Sequence, residues 1–145
     1  MEFEVFLERL DRYLGALPDR FRYAVEVRNR DWIDEPLLDL LRRHRAAFVW
    51  VEKNALPHPA DLAERLDIVT ADFAYARLIG DRRAVDRLTD TFDHIVLDRE
   101  ASLVRWAEMI QRVPASVSPV FAFANNHYAG HGPATARRLQ ELAAG

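Results

Sequence analysis

Apolar residues recur along this chain with two different periods, and the alternation between the periods predicts helices and strands in turn. Phe3, Phe6, Leu7, Leu10, Tyr13, Leu14 and Leu17 return every three or four positions with charged residues between them. Residues 3–16 therefore read as an amphipathic helix, which Gly15 and Pro18 stop. Phe21 to Val27 follows as a short strand, and Asn29 to Ile33 as a loop carrying Trp32. Asp34 is placed to cap a second helix, with Pro36 in its first turn and Leu37, Leu38, Leu40 and Leu41 as its buried stripe.

Ala46 to Val51 is apolar throughout and ends in Glu52 and Lys53, a pattern that suits a strand covered on both faces. Between residues 54 and 67 lie Pro57, Pro59 and a short helical piece, Asp61 to Arg65, and Ile68 to Ala71 reads as a brief extended approach. Phe73 to Ile79 is a third strand. Residues 81–98 are rich in Arg and Asp and allow a short helix over Val85 to Phe92 and an extended piece over His94 to Asp98. Ala101 to Val113 has a helical period ended by Pro114, Val120 to Ala124 is a fourth strand, and Pro133 to Ala144 is a closing helix. This alternation predicts an α/β fold with parallel strands.

Composition narrows the picture. The chain has 145 residues, half of them apolar, enough for one domain spanning residues 1–145 and one core. Its 20 Lys and Arg stand against 23 Asp and Glu, giving a net charge of -3, so no overall basic field favours extended nucleic-acid binding. Lys53 is the single lysine. Without cysteine there is no disulfide, thiolate nucleophile or cysteine metal site. The acidic start lacks the pattern of a secretory signal, and no apolar run approaches the roughly 20 residues of a membrane span, so no membrane role is expected and a cytoplasmic setting is.

The chemistry gathers where each strand ends. Glu26 and Arg28, Glu52, Arg77, and Asn125 with Asn126 all follow apolar runs. In parallel α/β folds such ends lie on one side of the sheet, where ligands bind. Each residue alone is equally what a strand meeting water would show, Glu52 included. Glu26 is different because it interrupts an apolar run, so its carboxylate is either paired, with Arg28 or Arg77 as partner, or protonated. Two roles follow for the cluster. One is an ion-pair network that fixes the strands. In the other, Arg28 and Arg77 grip an anionic group while Glu26 serves as acid or base.

Phe121 to Pro133 runs from a strand into two amides, two histidines, a tyrosine and two glycines. Asn125 and Asn126 suit polar ligands and equally suit a turn. His127 and Tyr128 join the candidate ligand-binding residues, and Tyr128 and Trp32 either line a pocket or complete the core. His127 and His131 are four apart, but Gly130 and Gly132 argue for a loop, so no metal site is expected. The chain has no phosphate loop, dinucleotide fingerprint, nucleophile elbow or zinc signature, so no cofactor is expected.

Three strings, Tyr23-Ala-Val-Glu-Val-Arg-Asn-Arg-Asp-Trp32, Thr70-Ala-Asp-Phe-Ala-Tyr-Ala-Arg-Leu-Ile-Gly80 and the Asn125-Asn126 segment, resemble the DUF72 family, also called YecE-like. The resemblance covers nearly the whole chain. It implies a TIM-barrel-like (β/α)₈ fold without an established activity, and a pocket lined by Glu26, Arg28, Trp32, Tyr75, Arg77, Asn125 and Asn126. Where the family more usually has Arg-Leu-His-Gly, this chain has Arg77-Leu-Ile-Gly80. A complete barrel needs about 250 residues, and this chain resembles only the later half of the family's members. It is therefore expected to be either a fragment or a half-barrel completed by another copy or by a complementary chain.

The expected function is binding of a small polar, anionic metabolite at the strand ends, with Glu26, Arg28 and Arg77 as the catalytic candidates for hydrolase or lyase/isomerase chemistry. The alternatives are a non-catalytic module for a nucleotide or a nucleic-acid end, and a non-functional fragment.

Overall fold

A computed structural model of the chain describes residues 2–145. Helix α1 (Phe3–Gly15) leads into β1 (Ala24–Val25), a single 3₁₀ turn (Arg30–Trp32) and α2 (Glu35–Arg43). Then come β2 (Ala47–Lys53), α3 (Pro59–Ala63), β3 (Ala74–Gly80), α4 (Arg82–Asp86) and α5 (Glu100–Gln111). β4 (Val120–Ala124), α6 (Asn126–Ala129) and α7 (Gly132–Ala144) close the chain. Among the described residues no helix is long and apolar enough to cross a membrane.

The four strands form one open sheet in the order β1-β2-β3-β4, with every neighbouring pair parallel. Because side chains alternate along a strand, the register sorts the sheet into two faces. Trp50 lies beside Ala76, and Ala76 beside Ala122; this face is buried under the helices, and Trp50, Ala76 and Leu78 are all but inaccessible. On the other face Val49 lies beside Tyr75 and Tyr75 beside Phe121, while Val51, Arg77 and Phe123 form the next row. On this second face Val49 and Val51 of β2 are buried, but among the described residues no helix covers its β4 side, where Phe121 and Phe123 are 42% and 49% exposed. The arrangement is that of one half of a TIM-like barrel, with the helices outside and the uncovered face where the barrel interior would be.

Local chemistry explains most boundaries. Asp34 caps α2 by accepting a hydrogen bond from the Glu35 N–H, and the α2 leucines pack into the core with Trp50 and Phe48. His44 ties α2 back to α1 through Asp11 at 2.6 Å. Asp81 caps α4 by accepting from the N–H groups of Arg83 and Ala84.

Several expectations are corrected. The strand expected over residues 21–27 shortens to Ala24–Val25, an edge strand with one neighbour. The segment from Ile68 to Ala71, expected as an extended approach and not as a strand, lies outside the sheet. Thr70 instead donates its hydroxyl to the Ala46 carbonyl and accepts the Phe48 N–H, both at 2.7 Å, and Trp50 donates to the Ile68 carbonyl. The helix expected over 85–92 lies earlier, at Arg82–Asp86, because Asp81 supplies the cap. His94 to Asp98, expected as an extended piece, stays outside the sheet and is held to α6, where Val96 and Leu97 donate their N–H groups to the Ala129 carbonyl. Residues 126–129, expected as loop, form the short helix α6.

Candidate functional site

Glu26 follows β1 at its C-terminal end, and Arg77, expected at a strand end, is the middle residue of β3, with β2 between them. Arg77 nevertheless donates from Nη1 to Glu26 Oε2 at 2.5 Å, so the pair spans the intervening strand. Arg28 donates from Nε to the other oxygen, Oε1, at 2.6 Å. One carboxylate thus organises two guanidinium groups and spends one N–H of each. Burial alone would raise the Glu26 pKa, but the hydrogen bonds from Arg28 and Arg77 outweigh it and hold the carboxyl below its usual value. Glu26 is therefore the paired, ionised carboxylate of the two alternatives. Arg28 is more than half exposed and Arg77 about one third, so the cluster carries a net positive charge facing solvent.

The segment after β4 divides its candidates. Asn125 donates its N–H to the Leu78 carbonyl, which continues the sheet by one step, while its side chain makes no cap to α6. Its extended backbone continues the alternation of β4, which gives it the face of Phe121 and Phe123. Asn126 is engaged structurally: its Oδ1 accepts the Gly132 N–H at 2.9 Å. His127 faces Asp86 at 3.1 Å and meets the Phe92 ring edge-on. Tyr128 is fully buried, with the Arg99 guanidinium 5.4 Å from its ring centre, so it presents no ring face to a ligand.

Trp32 and Tyr75 are also separated. Trp32 stacks on Phe6 at 4.6 Å and on Phe3 at 6.1 Å, which makes it part of the contact with α1. Tyr75 stacks on Phe123 at 5.0 Å on the uncovered face, in the row below Arg77. Of the nine candidates, Glu26, Arg28 and Arg77 thus form one bonded cluster, with Tyr75 and Asn125 on the same face of the sheet.

A second polar cluster lies on the helix side of the sheet and is centred on Glu52. Its Oε1 accepts the Ser102 hydroxyl at 2.8 Å, and its Oε2 accepts the Trp106 indole N–H at 2.6 Å and the Tyr128 hydroxyl at 2.8 Å. His58 Nε2 stands 3.5 Å from Oε2 and 3.2 Å from the Ser102 oxygen. Burial pushes the Glu52 pKa up, but hydrogen bonds from His58, Trp106, Tyr128 and Ser102 prevail and bring it down to about 2. Burial and the neighbouring Glu52 charge in turn push the Tyr128 hydroxyl pKa up.

This set of Ser, His and Glu is not wired as a nucleophile triad. Ala60 donates its N–H to His58 Nδ1 at 3.1 Å, which requires the ring proton on Nε2, so that nitrogen is a donor towards Ser102. The Ser102 proton goes to Glu52, and no base is left to take it. The cluster binds β2, α3, α5 and α6 together. Sequence reasoning treated Glu52 as an ordinary strand end and passed over His58, Ser102 and Trp106. The available signal was Ser102 and Trp106 four apart on one helix face, each carrying a polar hydrogen into the apolar stripe.

Among the described residues no group of three or more histidines and carboxylates could hold a metal ion. A cleft of about 730 Å³ lies between α3, the segment around Ile68 and α5, on the helix side and away from Arg77.

The fold defines half of a TIM-like β/α barrel. The family model described as "Protein of unknown function DUF72" matches residues 1–145, and the chain belongs to the DUF72 family. Among solved structures, a DUF72 family protein of Thermotoga maritima aligns with a TM-score of 0.71 at 24% identity, covering 96% of this chain and 52% of that one. A DUF72 family protein of Enterococcus faecalis aligns in two crystal structures with TM-scores of 0.63 and 0.61 at 15% and 16% identity. These cover 95% and 97% of this chain and 53% and 52% of the other. The chain thus spans about half the length of the structures it matches. A comparison with curated proteins found no match.

Proposed function

We infer that the strand-end cluster binds a small anionic metabolite, gripped by Arg28 and Arg77 with the Asn125 amide beside them. The observation that carries this reading is the sharing of one carboxylate between two arginines. Glu26 fixes both guanidinium groups with one N–H each and neutralises only one of the two charges. The remaining donors suit a carboxylate or phosphate, which guanidinium groups bind through paired hydrogen bonds. Glu26, kept ionised by its partners, has the protonation state of a base and not of an acid. Hydrolase or lyase/isomerase chemistry would use it in that form once a ligand draws the arginines away. A nucleotide is the second ligand class. It is favoured by Phe123, an exposed ring paired in register with Arg77, on which a planar base can stack.

The test is calorimetry of a panel of small carboxylates, phosphates and mononucleotides against the parent, Arg77→Ala and Glu26→Gln. A ligand that binds the parent should lose at least about tenfold in affinity with Arg77→Ala, the loss of a charge-assisted hydrogen bond. Equal binding by all three proteins would refute the assignment.

A further inference from the structure

We propose that two copies of this chain associate about a two-fold axis parallel to the strands, closing one eight-stranded parallel barrel. The inference goes beyond the anion site and stands on the sheet itself. Both edges of the sheet, at β1 and at β4, carry parallel strands running the same way. A two-fold axis along the strands brings β4 of one copy beside β1 of the other and, by the same operation, β1 beside β4. All eight strands remain parallel, and no edge is left.

Two observations converge on that closure. The uncovered face carries Phe121 and Phe123, large rings more than two fifths exposed where a barrel has its packed interior. On the helix side, a groove of about 500 Å³ runs along β4 and α7, lined by Val120, Ala122, Ala124, Leu139 and Ala143. This places an apolar recess directly beside the free edge, where the next helical layer of a barrel would pack.

Closure changes the site. Each copy contributes Glu26, Arg28 and Arg77 at the same end of the barrel, so the mouth is ringed by two clusters related by the axis. A single copy supplies one wall, and the second copy supplies the wall facing it.

The test is sedimentation equilibrium of the 145-residue chain without ligand, which separates this proposal from the anion reading. A species of twice the 16.8 kDa chain mass is expected. Phe121→Asp, which buries a charge in the closed interior, should shift the equilibrium to monomer by at least about a hundredfold in dissociation constant. Val104→Asp, on the outer side of α5, should leave the dimer unchanged. A parent that stays monomeric at 100 µM, or a dimer indifferent to a folded Phe121→Asp variant, overturns the proposal. If Phe121→Asp does not fold, hydrogen exchange on the parent decides. Protection of the β4 amides facing the open edge must rise with protein concentration, and concentration-independent exchange overturns the proposal.

Discussion

Tyr128 and Glu52 stand 76 residues apart in the chain and meet through a 2.8 Å hydrogen bond on the helix side of the sheet. That bond fastens the segment after β4 to the end of β2. Trp106 shares the same carboxylate oxygen, so α5, β2 and α6 depend on one side chain.

Replacing Glu52 by Gln removes the charge and turns one acceptor oxygen into a donor amide. The indole and phenol hydrogens are fully buried and compete for a single oxygen or lose a partner. The expected cost is about 1–3 kcal/mol, read as a lower urea midpoint with an unchanged slope. Glu52→Ala, which leaves both donors unpaired, should cost more. An unchanged midpoint for both variants would mean that the cluster contributes no stability.

The same group sets an acid limb. Its folded pKa of about 2 lies below the usual 4.5, so its contribution is complete above the unfolded value and is lost as pH falls from 4.5 through about 2. The separation corresponds to about 3 kcal/mol. Glu26 is shifted in the same direction, so the measurement is the difference between the parent and Glu52→Gln at each pH. That difference should shrink across this window. A gap independent of pH would show that Glu52 is not titrating there.

Ser102 should be inert. Its hydroxyl proton is committed to Glu52 and its histidine neighbour is a donor, so no fluorophosphonate adduct is expected at neutral pH. Recovery of a labelled Ser102 peptide would contradict this wiring.

Gly80 is required twice over. Its φ is +73°, and a Cβ there would lie 2.6 Å from the Tyr128 Cα and 2.8 Å from the His127 carbonyl oxygen. Gly80→Ala must adopt a left-handed conformation and push α6 away, at a cost of at least about 1–3 kcal/mol. Thermal melting reads the loss, and altered Trp106 fluorescence reports Tyr128 leaving Glu52. A variant with parental melting and emission would contradict this packing.

Much of the architecture was legible because it rests on local signals. The leucine stripe and Asp34 cap mark α2, and the unbroken apolar run from Ala46 to Val51 marks a doubly covered strand. The interrupted apolar run at Glu26 demanded a charged partner, and both arginines named for it, Arg28 and Arg77, are bonded to it, Arg77 from the middle of β3. Other features were settled only by tertiary contact. Thr70 ties the approach to β3 onto β2 through its hydroxyl, Trp32 packs on α1, and Tyr128 turns inward to a carboxylate on another element. Glu52 was hidden by its position: an acidic residue after a strand reads as a meeting with water, and three of its four partners lie on α5 and α6, far along the chain.

The strand Val120–Ala124 contains no charge and no proline, it lies at the edge of the sheet, and two of its five side chains are exposed phenylalanines. Natural edge strands usually carry lysine, proline or a bulge that blocks further strand addition, and this one has none of them within its length. Short apolar segments of this kind are also the building material of fibrils. Covering this edge is therefore a matter of solubility as well as architecture: a population in which it stays bare has a ready template for open-ended growth.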